Sequence, residues 1–238
     1  MRSEAEFRLL QQEIVDCRRC PRLVEWRERV AREKVRRYND AEYWGRPLPA
    51  FGDPGAALLV VGLAPAAHGG NRTGRMFTGD RSGDWLYEAL HRFGFATRPT
   101  SVARDDGLAL RGCLITAAVR CAPPGNKPAP EELDTCRRYL ARELALAENT
   151  RVVVALGQIA FRAFLKAWRE AGGAPPGRGL RFRHLAEWRP PGGPVLVASY
   201  HPSQQNTQTG RLTRPMFHAV FRRARKLVDA APTHFNDR

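Results

Sequence analysis

Four uninterrupted apolar runs punctuate the chain: Ala57 to Gly62, Cys113 to Val119, Val152 to Leu156, and Val195 to Ser199. Short runs rich in Val, Ile and Leu without polar alternation fit strands covered on both faces, the condition of inner strands in a parallel sheet. Between the runs, apolar positions recur at three- and four-residue spacing over Ser82–Phe93, Glu131–Ala147, Gln158–Trp168 and Pro215–Val228, and ahead of them over residues 3–16 and roughly 22–43. Strand and helix alternate, which predicts an α/β fold: a three-layer α/β/α sandwich around a central, mostly parallel sheet of four to five strands. The Gly/Pro-rich stretch from Ala171 to Pro194 reads as a surface excursion with one edge strand at Leu180–His184. A chain of 238 residues is long enough for one sizeable core, so a single domain over residues 1–238 is expected, with an N-terminal helical segment of about residues 1–45.

In open parallel sheets, ligands gather outside the carboxyl ends of the strands. Three expected strand ends carry unusual residues: Gly62-Leu63-Ala64-Pro65-Ala66-Ala67-His68-Gly69, the Val119–Asn126 stretch, and Ser199-Tyr200-His201-Pro202-Ser203. These loops are expected to converge on one pocket.

The cysteines add a second candidate site. Cys17-x-x-Cys20 stands near the start and Cys121 and Cys136 follow in the middle of the chain. A short thiolate pair fills half of a four-thiolate set, and a distant pair is its natural complement, so the four read as one metal or cluster site closed by folding. A disulfide framework fits less well: five cysteines leave one unpaired, and the charged segment Met1–Gln12 lacks the apolar stretch of a secretory signal. The remaining Cys113 opens an apolar run and reads as a buried strand thiol. Zinc and iron–sulfur clusters both accept four thiolates; the wide Cys121–Cys136 spacing favours a four-iron, four-sulfur cluster, with zinc as the alternative.

Charge narrows the class of partner. The sequence holds 39 basic and 24 acidic residues, a formal net charge of +15, so a polyanion is the expected partner. From His201 to Lys226 there are six arginines or lysines and no acid, in a stretch that reads first as a polar loop, Gln204–Thr213, and then as a helix, which marks it as a candidate nucleic-acid face. No apolar run approaches the roughly 20 residues needed to cross a bilayer, so a protein without a membrane partner, in the cytoplasm, is expected.

The motifs GLAPAAHG after the first strand, MFTGDRSG soon after it, ITAAVRCAPPGNKP at the next and HPS after the last resemble the uracil-DNA glycosylase superfamily. The iron–sulfur branches match, the type 5 (b form) enzymes most of all, from Cys17 to about Arg214. The resemblance implies a monofunctional DNA repair glycosylase that flips uracil out of duplex DNA and hydrolyses its glycosidic bond. It also implies a nucleoid-associated monomer. A base in a duplex must leave the stack before it can be cut from its sugar, so such an enzyme needs a backbone clamp, a stacking ring and groups that read the base edge. The resemblance assigns the clamp to Gly62, Leu63, Ala64 and Pro65, the stacking ring to Phe77, and to His201 a place facing a uracil carbonyl oxygen, where it stabilises the departing anion.

Two departures matter. Many relatives carry a carboxylate just after the first strand's glycine, where this chain has Leu63 and Ala64, and an asparagine that reads the base, where it has Ala117. With no general base at Ala64, a strongly dissociative cleavage is expected, in which the bond breaks first and the base leaves as an anion. Asn126 and His68, and after them Asp80, are the polar candidates for orienting water or base; Asp80 is also suited to cap the helix that begins near Ser82. Without an edge-reading asparagine, hypoxanthine and xanthine are expected as further substrates. Ser203 is expected to contact phosphate, and Gln205, Asn206, Arg211 or Leu212 to enter or grip the duplex. The alternative from another class is a non-catalytic iron–sulfur protein that binds nucleic acid or senses damage.

Overall fold

The four apolar runs form the middle of the sheet. In the computed structural model, which describes residues 2–177 and 179–230, the chain begins with α1 (Arg2–Val15) and α2 (Pro21–Glu33), then β1 (Phe51–Gly52) and β2 (Leu58–Gly62). α3 (Gly70–Thr73) and α4 (Arg81–Arg92) lead to β3 (Cys113–Ala117), followed by α5 (Pro130–Leu146), β4 (Val152–Leu156) and α6 (Gln158–Glu170). The chain continues through β5 (Glu187–Trp188), β6 (Val195–Ser199), α7 (Gln204–Gln208) and α8 (Arg214–Asp229). The sheet order is β1-β3-β2-β4-β6-β5. The inner strands β3, β2, β4 and β6 are parallel, and the two-residue edge strands β1 and β5 pair antiparallel. The fold is the expected α/β sandwich with a mostly parallel sheet, but of six strands rather than four or five.

Alternate side chains of each inner strand serve opposite layers, as a pleated strand requires. Leu58, Val60, Ile115, Val154 and Val197 pack with Leu86 and Leu90 of α4 and Phe217 and Phe221 of α8. Leu59, Val61, Leu114, Val153 and Leu196 pack with Leu140 of α5 and Phe161 and Phe164 of α6. Each such fully buried side chain stabilises the fold by about 1.5–3 kcal/mol relative to exposure. Cys113 lies at 0% exposure among them, and burial pushes its thiol well above the ordinary range, consistent with an inert strand cysteine.

Three expectations fail for local reasons. The second helix stops at Glu33 rather than near residue 43, because Lys34 takes a left-handed φ of 53° and the polar segment beyond has no apolar stripe to bury. The expected edge strand at Leu180–His184 is displaced to β5. Leu185 turns with φ 62°, and pairing to Ala198 begins only with the Leu185 N–H and the Ala186 carbonyl. The polar stretch expected as a loop after residue 203 opens with α7.

β3 and β4 flank β2 on opposite sides, so the connections after β2 and β3 diverge at its carboxyl end. That divergence opens the crevice where ligands bind in such sheets. Gly62 stands level with Ala117, and Leu156 with Ser199, which brings the ends of all four inner strands to one edge.

Candidate active site

Gly62 ends β2 because something must pass close to it. A Cβ there would fall 2.7 Å from Cζ of Phe77, so only glycine lets the ring tip lie against the strand end. Phe77 itself takes a left-handed φ of 53°, a conformation that costs a non-glycine residue about 1–2 kcal/mol and persists only where neighbours enforce it. They do. On one side the hydroxyl of the buried Tyr87 donates to the Met76 carbonyl at 2.7 Å. On the other, Thr78 Oγ1 accepts from Arg75 Nε at 2.9 Å and lies 2.7 Å from Ser101 Oγ.

Arg75 is the centre of this clamp. Its guanidinium, almost wholly buried, also donates to the Arg104 carbonyl at 3.0 Å, to Ser101 Oγ at 2.8 Å and to Asp106 Oδ2 at 2.6 Å. Asp106 in turn accepts from the amides of Val102, Ala103 and Leu108. Although burial opposes it, the Arg75 and amide hydrogen bonds hold this carboxyl well below the usual carboxylate range, so the clamp is charged at neutral pH. Sequence reading missed Arg75, Thr78, Ser101 and Asp106, since single polar residues on separate loops form no pattern.

The opposite wall follows β6. The His201 ring lies 6.3 Å from that of Phe77, centroid to centroid, at an interplanar angle of 30°. Its carbonyl accepts from Asn206 Nδ2 at 2.9 Å, and its Cβ packs against Gly157 at the end of β4. Burial alone pulls the imidazole down to about 4, so at neutral pH the ring is uncharged and offers one N–H donor and one acceptor nitrogen. Ser82 Oγ donates to the Pro202 carbonyl at 3.1 Å, tying the start of α4 to the His201 loop.

The loop Leu63–Gly69 runs beside β3: the Gly62 and Leu63 carbonyls accept from the amides of Ala118 and Val119. Ala64 and Pro65 lie along it, and Ala117 is buried at the end of β3. His68 Nδ1 lies 3.1 Å from the Tyr43 hydroxyl, and burial, then Arg37 and Arg72, lowers its pKa. Asp80 caps α4, accepting from the Gly83 amide at 2.9 Å. Its other oxygen lies so close to Gly69 that a side chain there would collide with it, and burial raises its pKa. Asn126 is exposed on the turn after β3, with φ 57°.

The loop after His201 is less open than its polar sequence suggests. Ser203 Oγ accepts from the Asn206 amide as the cap of α7, Gln205 is exposed, and the Arg211 guanidinium lies over the Tyr200 ring at 4.9 Å. Leu212 corrects an expectation: it is 0% exposed within the core and cannot enter a duplex without unpacking it. The acid-free stretch also acquires acids in space. Arg214 and His218 meet Glu88 at 2.5 and 2.9 Å, Arg223 meets Glu187 at 2.5 Å, and Arg225 meets Asp229 at 3.3 Å. Of its six arginines and lysines, only Arg211, Arg222 and Lys226 have no ion-pair partner among the described residues.

A separate cavity gathers Cys17, Cys20, Cys121 and Cys136, with Arg27, Arg120 and Tyr139 among its other walls. The connection between α1 and α2, the segment after β3, and α5 meet there. Burial pushes Cys121 to about 11 and Cys136 to about 12, so with nothing bound these two are thiols at neutral pH. Arg27, 2% exposed, donates from Nη1 to Cys121 Sγ at 3.0 Å and leaves Nε without an acceptor. Arg120, 1% exposed, pairs with the buried Glu143 and leaves Nε and Nη1 without acceptors. Among the described residues, no set of three or more Cys, His, Asp or Glu closes to the spacing of a single metal ion.

Comparison with known proteins places this geometry in context. Residues 49–225 match the family model described as the uracil DNA glycosylase superfamily. The chain is 54% identical over 217 residues to the type-5 uracil-DNA glycosylase of Thermus thermophilus, covering 91% of this chain and 96% of the relative. It is 50% identical over 211 residues to the type-5 enzyme of Pyrobaculum aerophilum, covering 89% and 88%. Similarity to the type-4 uracil-DNA glycosylase of the same organism is lower, 32% over 126 residues, covering 52% and 56%.

Proposed function

The chain belongs to the uracil DNA glycosylase superfamily, and on that premise we propose that it removes uracil from DNA through a dissociative cleavage that uses no carboxylate base at the first strand end. The observation that carries this reading is the pairing of Phe77 with an uncharged His201 at a strand end, Gly62, whose following loop to Gly69 contains no acidic residue. The extruded base stacks on Phe77, whose position against Gly62 is set before any substrate arrives. As the glycosidic bond lengthens, negative charge develops on the base, and the His201 N–H donates to it. A donor aimed at developing charge in a dry site contributes about 10²–10³ in rate. The sugar cation is then captured by water, with His68, Asp80 and Asn126 as the polar groups available to orient it.

Asp80 is the natural rival as base. One of its oxygens is engaged as the cap of α4, and the carboxylate already serves the fold there. The methyl side chain of the buried Ala117 has no donor or acceptor with which to read the edge of a base, which supports a wider range that includes hypoxanthine and xanthine. Ser203, Gln205, Asn206 and Arg211, on α7 and the turns that flank it after His201, line the approach to duplex DNA.

Cys17, Cys20, Cys121 and Cys136 would hold a four-iron, four-sulfur cluster. The donor set fits: four thiols line one cavity, and two buried arginines with unpaired donors face it, an arrangement that suits sulfur atoms bearing negative charge. When bound, the cluster supplies a covalent tie between the α1–α2 connection and the β3–α5 segment, a structural role. Among the described residues, no helix is long and apolar enough to cross a membrane.

The direct test is incubation with a labelled duplex containing one uracil, then alkali. Strand scission at the uracil is expected; intact DNA, with binding retained, would favour a non-catalytic damage-binding protein.

A further inference from the structure

We propose that Arg37 and Arg72, gathered on the ring of Tyr38 beside His68, form a phosphate-binding site that takes a backbone phosphodiester of the DNA on the Phe77 side of the flipped base. The inference rests on the glycosylase reading and adds to it a contact far in sequence from the acid-free stretch. The Arg37 and Arg72 guanidinium carbons lie 4.7 and 4.0 Å from the Tyr38 ring centroid. Two cations sharing one ring repel each other, and such an arrangement is stabilised when an anion joins it. Neither arginine has an ion-pair partner among the described residues, in contrast to Arg214, Arg223 and Arg225 of α8.

The pair is built into the wall of the candidate active site. Arg72 Nε donates to the His68 carbonyl at 2.9 Å, and the Trp44 amide donates to the Arg72 carbonyl at 2.9 Å, so this guanidinium is held in place. Tyr43, from the same N-terminal segment, reaches His68 Nδ1. Arg37 is exposed and reaches the same ring from the short helical turn Arg36–Tyr38. Asp40 and Glu42 are exposed on this segment as well. The charged groups that act on the His68 imidazole are Arg37 and Arg72; Asp80 is the acid on which Arg72 acts, and one carboxylate against two guanidiniums leaves the cluster with net positive charge. A planar guanidinium fixed over an aromatic ring retains N–H groups directed outward, the geometry that grips phosphate oxygens.

The test measures binding to a duplex whose deoxyuridine carries a 2′-fluorine and resists cleavage, across a range of salt concentrations. Each phosphate contact contributes about 0.9 to the slope of log K against log salt. For the double variant Arg37→Gln/Arg72→Gln, which removes this one phosphate contact, the slope should fall by about one, and for Arg37→Gln by a measurable part of that. Arg138→Gln, the same charge change at an exposed position of α5, should match the parent protein. Slopes for Arg37→Gln equal to that of Arg138→Gln would overturn the proposal. Arg37→Gln decides the matter even if the Arg72 change disturbs the fold, because Arg37 is exposed. Failure of the glycosylase reading would show separately, as a parent protein that leaves an ordinary uracil duplex uncut.

Discussion

The two walls of the candidate active site are built by opposite means. The Phe77 wall is polar behind its face: a buried guanidinium, a carboxylate and two hydroxyls hold one residue in a backbone conformation it would not otherwise keep. The His201 wall depends on exclusion. Burial by itself keeps the imidazole uncharged, and the Asn206 hydrogen bond to its carbonyl secures the turn. The first wall therefore preserves a shape and the second an electrical state. A site that stabilises a departing anion needs both, a platform that does not yield and a donor whose charge does not fluctuate with pH.

Substitutions can break each wall separately. The largest effect should come from Arg75→Met, which strands the Asp106 carboxylate; breaking one side of a buried ion pair costs about 3–5 kcal/mol. Chemical denaturation of the purified variant measures this, and a loss under 1 kcal/mol would show that the clamp is not what holds the Phe77 loop. Next is His201→Asn, which should slow single-turnover cleavage by about 10²–10³ while leaving the thermal midpoint nearly unchanged at neutral pH. Thr78→Val should cost about 1–3 kcal/mol by removing the acceptor of Arg75 Nε, and Thr78→Ser should restore most of it.

The remaining effect is a pH dependence of stability. Because the folded-state pKa of His201, about 4, lies below the ordinary value of 6.5, the unfolded chain binds more protons between those limits. The histidine's contribution is thus complete above about pH 6.5 and declines as pH falls towards 4. Denaturation curves for His201→Asn should be flatter than the parent's across that interval.

The same contrast explains what could be read from the chain. The inner strands were legible almost to the residue: Val152–Leu156 and Val195–Ser199 are found as expected, because a strand buried on both faces needs an unbroken apolar run. The two-residue edge strands bury too little to leave such a signal. Gly62, Phe77 and His201 could be singled out because each stands in a short motif at or beyond a strand end. The clamp could not, since Arg75 and Asp106 acquire meaning only when two loops meet. Charge was the least faithful guide. The acid-free stretch after His201 receives Glu88 and Glu187 from other elements, whereas the mixed-sign segment around Arg37 presents cations that have no ion-pair partner among the described residues. Sign along the chain is not sign on the surface.

The central claim is that no proton-abstracting group governs bond cleavage, and the pH profile of the single-turnover rate tests it most directly. Between about pH 5.5 and 8.5 the rate should stay level, since His201 is already neutral there, and Asp80→Asn should preserve both the plateau and its height to within about tenfold. An acidic limb in the parent enzyme that disappears in Asp80→Asn, together with near-complete loss of cleavage, would instead make Asp80 the base and contradict the account.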